Sequence, residues 1–173
     1  MKIRNGYVSN SSSSSFVVIF PKEPKSVEDV QKILFGKKKF YGSPWGDDKY
    51  PVEQVAKTVW DDICSQKKNN TEKALDILAN SHGGDAPDYH DYDHITDRTK
   101  MWAELQKAQK QYAKKIFNEF FNTRKNKLKK LNNEPTDEVF YCFSYADDDG
   151  SYFSALEHGD LFENVKSISI SNH

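Results

Sequence analysis

The sequence predicts an α+β domain whose antiparallel or mixed sheet is built from both ends of the chain. A run of strand formers lies at residues 16–20, β-rich segments follow residue 136, and helical periodicity fills most of the chain between them. The 173 residues suit one domain, for which we expect four sections. These are a strand with a serine loop (1–20), short helices and loops (26–95), a long basic helix (96–132) and C-terminal strands (136–173).

The first section joins a serine tract to a buried strand. Residues 16–20 read Phe-Val-Val-Ile-Phe and end at Pro21, which cannot donate to a β-ladder. Residues 3–8 are a candidate partner for this strand. A serine hydroxyl donates one hydrogen bond and accepts two, so an ordered tract predicts a polar ligand such as phosphate, or bonds to its own backbone. The candidate ligand-binding residues here are Ser9, Asn10, Ser11, Ser12, Ser13, Ser14 and Ser15.

Three short helices are expected in the second section. Ser26 is placed to cap the first, and Gly36 to end it. Pro51 fits the first position of the second helix, and Thr71 fits the cap of the third. Turn-forming residues around 37–50 and 82–96 indicate loops.

One long helix forms the third section, because residues 98–131 contain neither Gly nor Pro and their apolar residues recur at helical spacing. It would span roughly 50 Å, so its end is expected to project or to meet a second chain, as in a homo-oligomer. Its predicted buried residues are Trp102, Leu105, Tyr112, Ile116 and Phe120.

Strands are expected in the last section. Residues 138–145 are rich in β formers, the acidic stretch 146–150 ends in Gly as a hairpin loop does, and residues 151–157 are predicted to return as a strand. A further strand is expected at 165–170.

The net charge of -1 hides a strong asymmetry. Residues 98–130 hold eleven Lys or Arg and two acids, whereas residues 134–163 hold nine acids and no Lys or Arg. The basic helix is either a contact surface for phosphate backbones or a solvated face balanced by the acidic segment of the same or a neighbouring chain. We favour the second interpretation, because the aromatic residues of the helix keep a stripe suited to a core.

Cysteine usage and hydropathy bear on the compartment. Cys64 and Cys142 lack metal-ligand spacing and are interpreted as small buried hydrophobes in a reducing compartment, which favours the cytoplasm. Residues 9–15 are polar where an export signal needs an apolar core, and no apolar run approaches a membrane span. The sequence also lacks a Walker loop, a Rossmann glycine signature, a zinc finger and a nucleophile elbow.

Two clusters carry candidate chemistry. His90 and His94 are spaced i, i+4, with Asp93 nearby. If this segment is helical, the three side chains suit a Zn or Fe site; if it is not, they belong to a solvated polar loop. Glu157, His158 and Asp160 surround a glycine after a predicted strand, where they are candidate acid–base residues; the alternative is a turn capped by Asp160.

The two ends of the chain carry a resemblance. The head, residues 4–16 (RNGYVSNSSSSSF), and the tail, residues 155–162 (ALEHGDLF) through 168–173 (ISISNH), resemble those of uncharacterised small proteins of tailed bacteriophages and some bacteria. The resemblance covers about a fifth of the chain. It implies a phage context and a coupled head and tail, to which His173 contributes as a candidate ligand-binding residue. Asn172 replaces the first of the two histidines that often end the group's chains.

We therefore expect a phage-encoded intracellular accessory protein of the host-takeover or counter-defence type. It would bind a protein, nucleotide or nucleic acid partner in the host cytoplasm. The alternatives are a small metal- or acid–base-assisted phosphoester enzyme and a component of virion assembly. The sequence specifies no cofactor.

Overall fold

A computed structural model describes residues 13–42, 47–80, 86–130, 137–146 and 150–172, with side chains described up to 121 in the long helix and up to 170 in the last strand. The elements run β1 (Ser13–Phe20), α1 (Val27–Phe35), β2 (Phe40–Gly42), β3 (Lys49–Pro51), α2 (Val52–Ser65), α3 (Thr71–Ala79), a 3₁₀ helix (Tyr89–Tyr92), α4 (Arg98–Lys130), β4 (Val139–Ala146), α5 (Ser151–His158) and β5 (Lys166–Asn172).

The main sheet has the order β4-β1-β5, and both pairings are antiparallel. The first strand of the chain therefore lies between two strands from its last third, with Ser15 opposite both Ser144 and Ile170. Strands β2 and β3 form a separate antiparallel pair. The predicted α+β class, with a sheet built from both ends of the chain, is confirmed.

Two helical layers cover the central strand. Alternate side chains of a strand point to opposite faces. Phe16, Val18 and Phe20 pack with residues of α1, α2 and α5, whereas Val17 and Ile19 pack with residues of α3 and α4. This two-sided burial explains why residues 16–20 are apolar without alternation.

Local signals at the short helices are mostly as expected. The Ser26 hydroxyl accepts a hydrogen bond from the Asp29 N–H, and Gly36 ends α1 at a φ of 57°, which favours glycine. The cap of α3 differs from the prediction: Asn70 accepts the bond from the Lys73 N–H, and Thr71 is the first helical residue. Pro51 precedes α2 and ends β3.

The predicted return strand at 151–157 is wrong, because Ser151–His158 is helix α5. One edge of β4 pairs with β1, and the segment 151–158 that follows β4 packs across the face of the sheet. As a helix it buries Ala155 and Leu156 in the core between the sheet, α1 and α2. A strand at this position would have placed these two neighbouring residues on opposite faces.

Helix α4 is continuous, as predicted, but its buried face is shifted. Leu105 is buried, while Tyr112, Ile116 and Phe120 are half-buried. Trp102 is 50% exposed, so its predicted burial is wrong. The small Ala113 lies fully buried among α3 and β5 residues, and Met101 is buried in the first turn of α4, so the buried face of the helix passes through Met101 and leaves its neighbour Trp102 exposed.

The two cysteines have different environments. Cys142 is buried in the sheet as expected, whereas Cys64 is exposed on α2, which contradicts the prediction for that residue. On the 3.6-residue period of α2, position 64 lies beside the buried Ile63 but off the apolar stripe.

The outer edge of β4 is covered by side chains from the segment joining α2 to α3. The Asn69 amide oxygen accepts from the Phe140 N–H at 2.9 Å, and the Asn69 N–H donates to the Phe140 carbonyl at the same distance. The Gln66 amide oxygen accepts from the Cys142 N–H at 3.0 Å. These bonds satisfy groups that an exposed edge would offer to another chain.

Among the described residues, no helix combines the length and apolar character needed to cross a membrane.

Candidate functional site

The end of α5 holds the predicted acid–base residues. Glu157 is buried with a side chain that has no solvent exposure, His158 keeps 19% of its side-chain exposure, and Asp160 is exposed beyond the helix. The closest approach between the Glu157 carboxylate and the His158 imidazole is 3.6 Å, from Oε2 to Nε2. Neither Glu157 carboxylate oxygen has a hydrogen-bond partner among the described residues. A buried carboxylate without such bonds is energetically costly, which makes Glu157 the most unusual residue of this segment.

Tyr41 fixes the turn that follows α5. Its hydroxyl donates a hydrogen bond to the Ala155 carbonyl at 2.9 Å, and the Gly159 N–H donates to the same carbonyl. A Cβ added at Gly159 would lie 2.0 Å from the Tyr41 hydroxyl oxygen. Burial raises the pKa of Tyr41, and the nearby carboxylates of Asp160 and Glu163 raise it further, so Tyr41 acts here as a neutral donor. Gly159 is therefore required for packing.

Asp160 faces a different space from its two neighbours. It lines a cavity of about 160 Å³ together with Lys38 and Glu163, which form an ion pair across it. Neither Glu157 nor His158 lines this cavity. The structure thus brings Glu157 and His158 together but does not add Asp160 to a common site with them.

Three of the predicted ligand-binding serines are part of β1. Ser14 is buried on the same face of the strand as Phe16, which is the face that α5 covers. The Ser15 hydroxyl is hydrogen-bonded to that of Ser144 at 3.0 Å. Ser13 lies opposite Asn172, so the described end of the tail runs beside the described end of the serine tract. The remaining members of the predicted set lie outside the described residues: Ser9, Asn10, Ser11, Ser12 and His173.

The predicted metal ligands His90, Asp93 and His94 lie in and just after the 3₁₀ helix and are exposed. In a 3₁₀ helix, residues spaced i, i+4 do not share a face, so the spacing loses the meaning it has in an α-helix. Within the described ranges, no group of three or more His, Cys, Asp or Glu is arranged to hold a metal ion.

A shallow, open depression of about 400 Å³ lies along one exposed side of α4 and is lined by residues of this helix alone. Three lysines recur along it at helical spacing, with two glutamine amides and a small alanine between them. Its lining residues are Ala103, Gln106, Lys107, Lys110, Gln111 and Lys114. We call this the lysine groove.

The predicted balance between the basic helix and the acidic segment falls partly outside the described residues, because Glu134, Asp147, Asp148, Asp149 and the side chains of residues 122–130 are not described. Within α4, Lys107 pairs with Glu104 of the same helix at 3.8 Å. Glu163 of the acidic segment pairs with Lys38 instead. Helix α4 packs on the β1 face that carries Val17, whereas α5 packs on the opposite face. The sheet thus separates the lysine groove from α5.

Two exposed aromatic rings lie at the start of α4. Tyr89 of the 3₁₀ helix is 44% exposed, and its ring centroid is 6.2 Å from that of Trp102. The Gln109 side chain donates to the Pro87 carbonyl at 3.4 Å and so links this loop to α4. The predicted burial of Trp102 missed this pair, because helical periodicity does not show which of two adjacent apolar residues, Met101 or Trp102, faces the core.

Comparison of the chain with protein-family models, with curated proteins and with solved structures finds no match.

Proposed function

We propose that this chain is a phage-encoded accessory binding protein whose lysine groove binds the phosphate backbone of a nucleic acid. The resemblance of the head and tail supports the phage context. The observation that carries the binding proposal is the row formed by Lys107, Lys110 and Lys114, which is exposed on one side of α4.

The energetic basis of such binding is counterion release. Nucleic acid carries a condensed layer of cations, and lysines that contact phosphates displace them into solution. Lys110 and Lys114 form no ion pair within 4 Å with a described residue, but Glu72 and Asp76 of α3 line a neighbouring cavity with them, so a bound phosphate would compete with these two carboxylates. The glutamines between them add amide donors and acceptors at the same surface.

The test is the salt dependence of binding, measured by fluorescence anisotropy of labelled oligonucleotides. Replacing Lys107, Lys110 and Lys114 together by Gln should weaken binding and reduce the slope of log K against log salt by about two for a single strand, and by about three for a duplex. A matched control has Lys32, Lys37 and Lys39 replaced by Gln. It loses the same charge at exposed positions in and after α1, on the other side of the sheet.

Equal losses in the two triple variants would mean that net charge, and not the lysine groove, governs binding. No measurable binding by the wild type at low salt would refute the proposal outright.

A further inference from the structure

Large apolar side chains exposed to solvent are few in the described part of the chain. Those found are Phe40, Tyr89 and Trp102, at 57%, 44% and 50% exposure. Single exposed aromatics are common and need no explanation. Two of these three, however, contact each other across separate elements, so the pair presents one continuous aromatic surface.

This aromatic pair adjoins the lysine groove. Trp102, Gln106 and Lys110 follow one another at i, i+4 spacing and therefore form one strip of the helix surface. Along the helix axis Trp102 and Lys110 are eight residue steps, or about 12 Å, apart. A ligand in the groove that extends toward the start of α4 would reach the aromatic rings within that distance.

We infer that Tyr89, Trp102 and the lysine groove form one platform for single-stranded nucleic acid. This inference rests on the proposed function and names its substrate class. Bases of a single strand expose their faces and stack on aromatic side chains, while lysines hold the phosphates. In a duplex the base faces are hidden within the helical stack, so an aromatic pair beside the lysines adds nothing to duplex binding.

The partner class follows from the two chemistries together. A cationic row alone would suit any polyanion, and an aromatic pair alone would suit an apolar partner surface. Only a chain with regular negative charges and unstacked planar groups uses both, which is the chemistry of single-stranded DNA or RNA.

The experiment compares Trp102→Ala with wild type on a labelled single-stranded oligothymidylate and on a duplex of equal length at one salt concentration. Because base stacking is lost, single-strand affinity should fall about tenfold. Duplex affinity and the salt slope should not change. Trp102→Phe retains a stacking ring and should recover most of the single-strand affinity. Phe40→Ala removes an aromatic of similar exposure away from α4 and should have no effect.

The outcomes separate this inference from the proposed function. If Trp102→Ala leaves single-strand affinity unchanged, or weakens single-strand and duplex binding equally, while the lysine triple variant still reduces the salt slope, the platform is refuted and the lysine groove stands. If the lysine triple variant changes neither affinity nor slope, the proposed function fails as well. Sedimentation completes the test, because a dimer that dissociates in Trp102→Ala would show that a second copy covers the aromatic pair, and this too would overturn the inference.

Discussion

Replacing Gly159 by Ala tests how the turn after α5 is held. The added methyl carbon would lie 2.0 Å from the Tyr41 hydroxyl oxygen, 2.7 Å from the Tyr41 Cζ and 2.6 Å from the Ala155 carbonyl oxygen. Heavy atoms cannot approach so closely, so the Tyr41 ring must move. Gly159 itself has a φ of -84° and a ψ of 169°, which alanine adopts readily, and the cost is therefore one of packing.

The magnitude follows from three contributions. Overpacking in a well-packed site costs about 1 to 3 kcal/mol. Loss of the buried hydrogen bond from Tyr41 to Ala155 adds about 0.5 to 1.5 kcal/mol. The smaller conformational entropy of alanine in the unfolded chain offsets about 0.4 to 1 kcal/mol of this destabilisation. We therefore expect Gly159→Ala to lower the free energy of unfolding by about 2 kcal/mol, within a range of about 0.5 to 4 kcal/mol.

The assay is urea denaturation followed by circular dichroism, with Gly42→Ala as the matched control. A Cβ at Gly42 meets no atom within 4 Å, so that variant should stay close to wild type. In a Tyr41→Phe background the shortest clash is absent, and Gly159→Ala should cost at least about 1 kcal/mol less there, as coupling between contacting residues predicts. A Gly159→Ala variant as stable as Gly42→Ala would refute the packing argument.

Three further predictions concern buried polar groups. Glu157→Leu should raise the free energy of unfolding in urea by about 1 to 3 kcal/mol, since it removes a buried carboxylate without hydrogen bonds; a loss of stability would contradict this. Burial raises the pKa of Cys142 to about 11, so a thiol reagent at pH 8 should label Cys64 in the native protein and Cys142 only after unfolding, and fast labelling of both would show that β4 opens. Burial also raises the pKa of Asp62, against the lowering effect of its hydrogen bond from Tyr145, so the folded state binds protons more tightly there than the unfolded chain. Asp62 therefore stabilises the folded state at acidic pH, and this stabilisation is lost as the pH rises through its raised pKa. The free energy of unfolding of Asp62→Asn, relative to that of wild type, should decline on acidification. Denaturation in urea at several pH values would check this.

Local physics accounts for the parts of the fold that sequence reasoning predicted. The strand at 16–20 is recognisable because burial on both faces demands an unbroken apolar run. Ser26 and Gly36 mark the ends of α1 through bonds and backbone angles that involve only neighbouring residues.

The wrong predictions concern residues whose structure depends on elements distant in the sequence. Residues 151–158 contain strand formers, yet β1 pairs with one edge of β4 and Gln66 and Asn69 bond to the other, so the segment folds as a helix over the sheet. Trp102 follows the helical spacing of Leu105 and Ile116, but the residue buried at this level of α4 is its neighbour Met101.

The candidate site, too, was predictable from the sequence only in part. The importance of the segment around Glu157 and Gly159 was visible in the sequence as a glycine turn beside titratable residues. Its reason was not, because Tyr41 reaches Gly159 from a different part of the chain. The lysine groove was visible as charge, but that the sheet places α4 and α5 on opposite faces emerged only from the structure.

The position of β1 in the sheet has a consequence for synthesis on the ribosome. Ser15 and its partner Ser144 are 129 positions apart, and β5 follows later still. At about 5 to 20 residues per second, the apolar strand Ser13–Phe20 would wait several seconds or longer after leaving the exit tunnel before either neighbour is made. During that time it is an unpaired hydrophobic segment, so the nascent chain is a natural client for chaperones that shield such segments. A ribosome that stops before residue 166 would release a chain in which one side of this strand can never be paired.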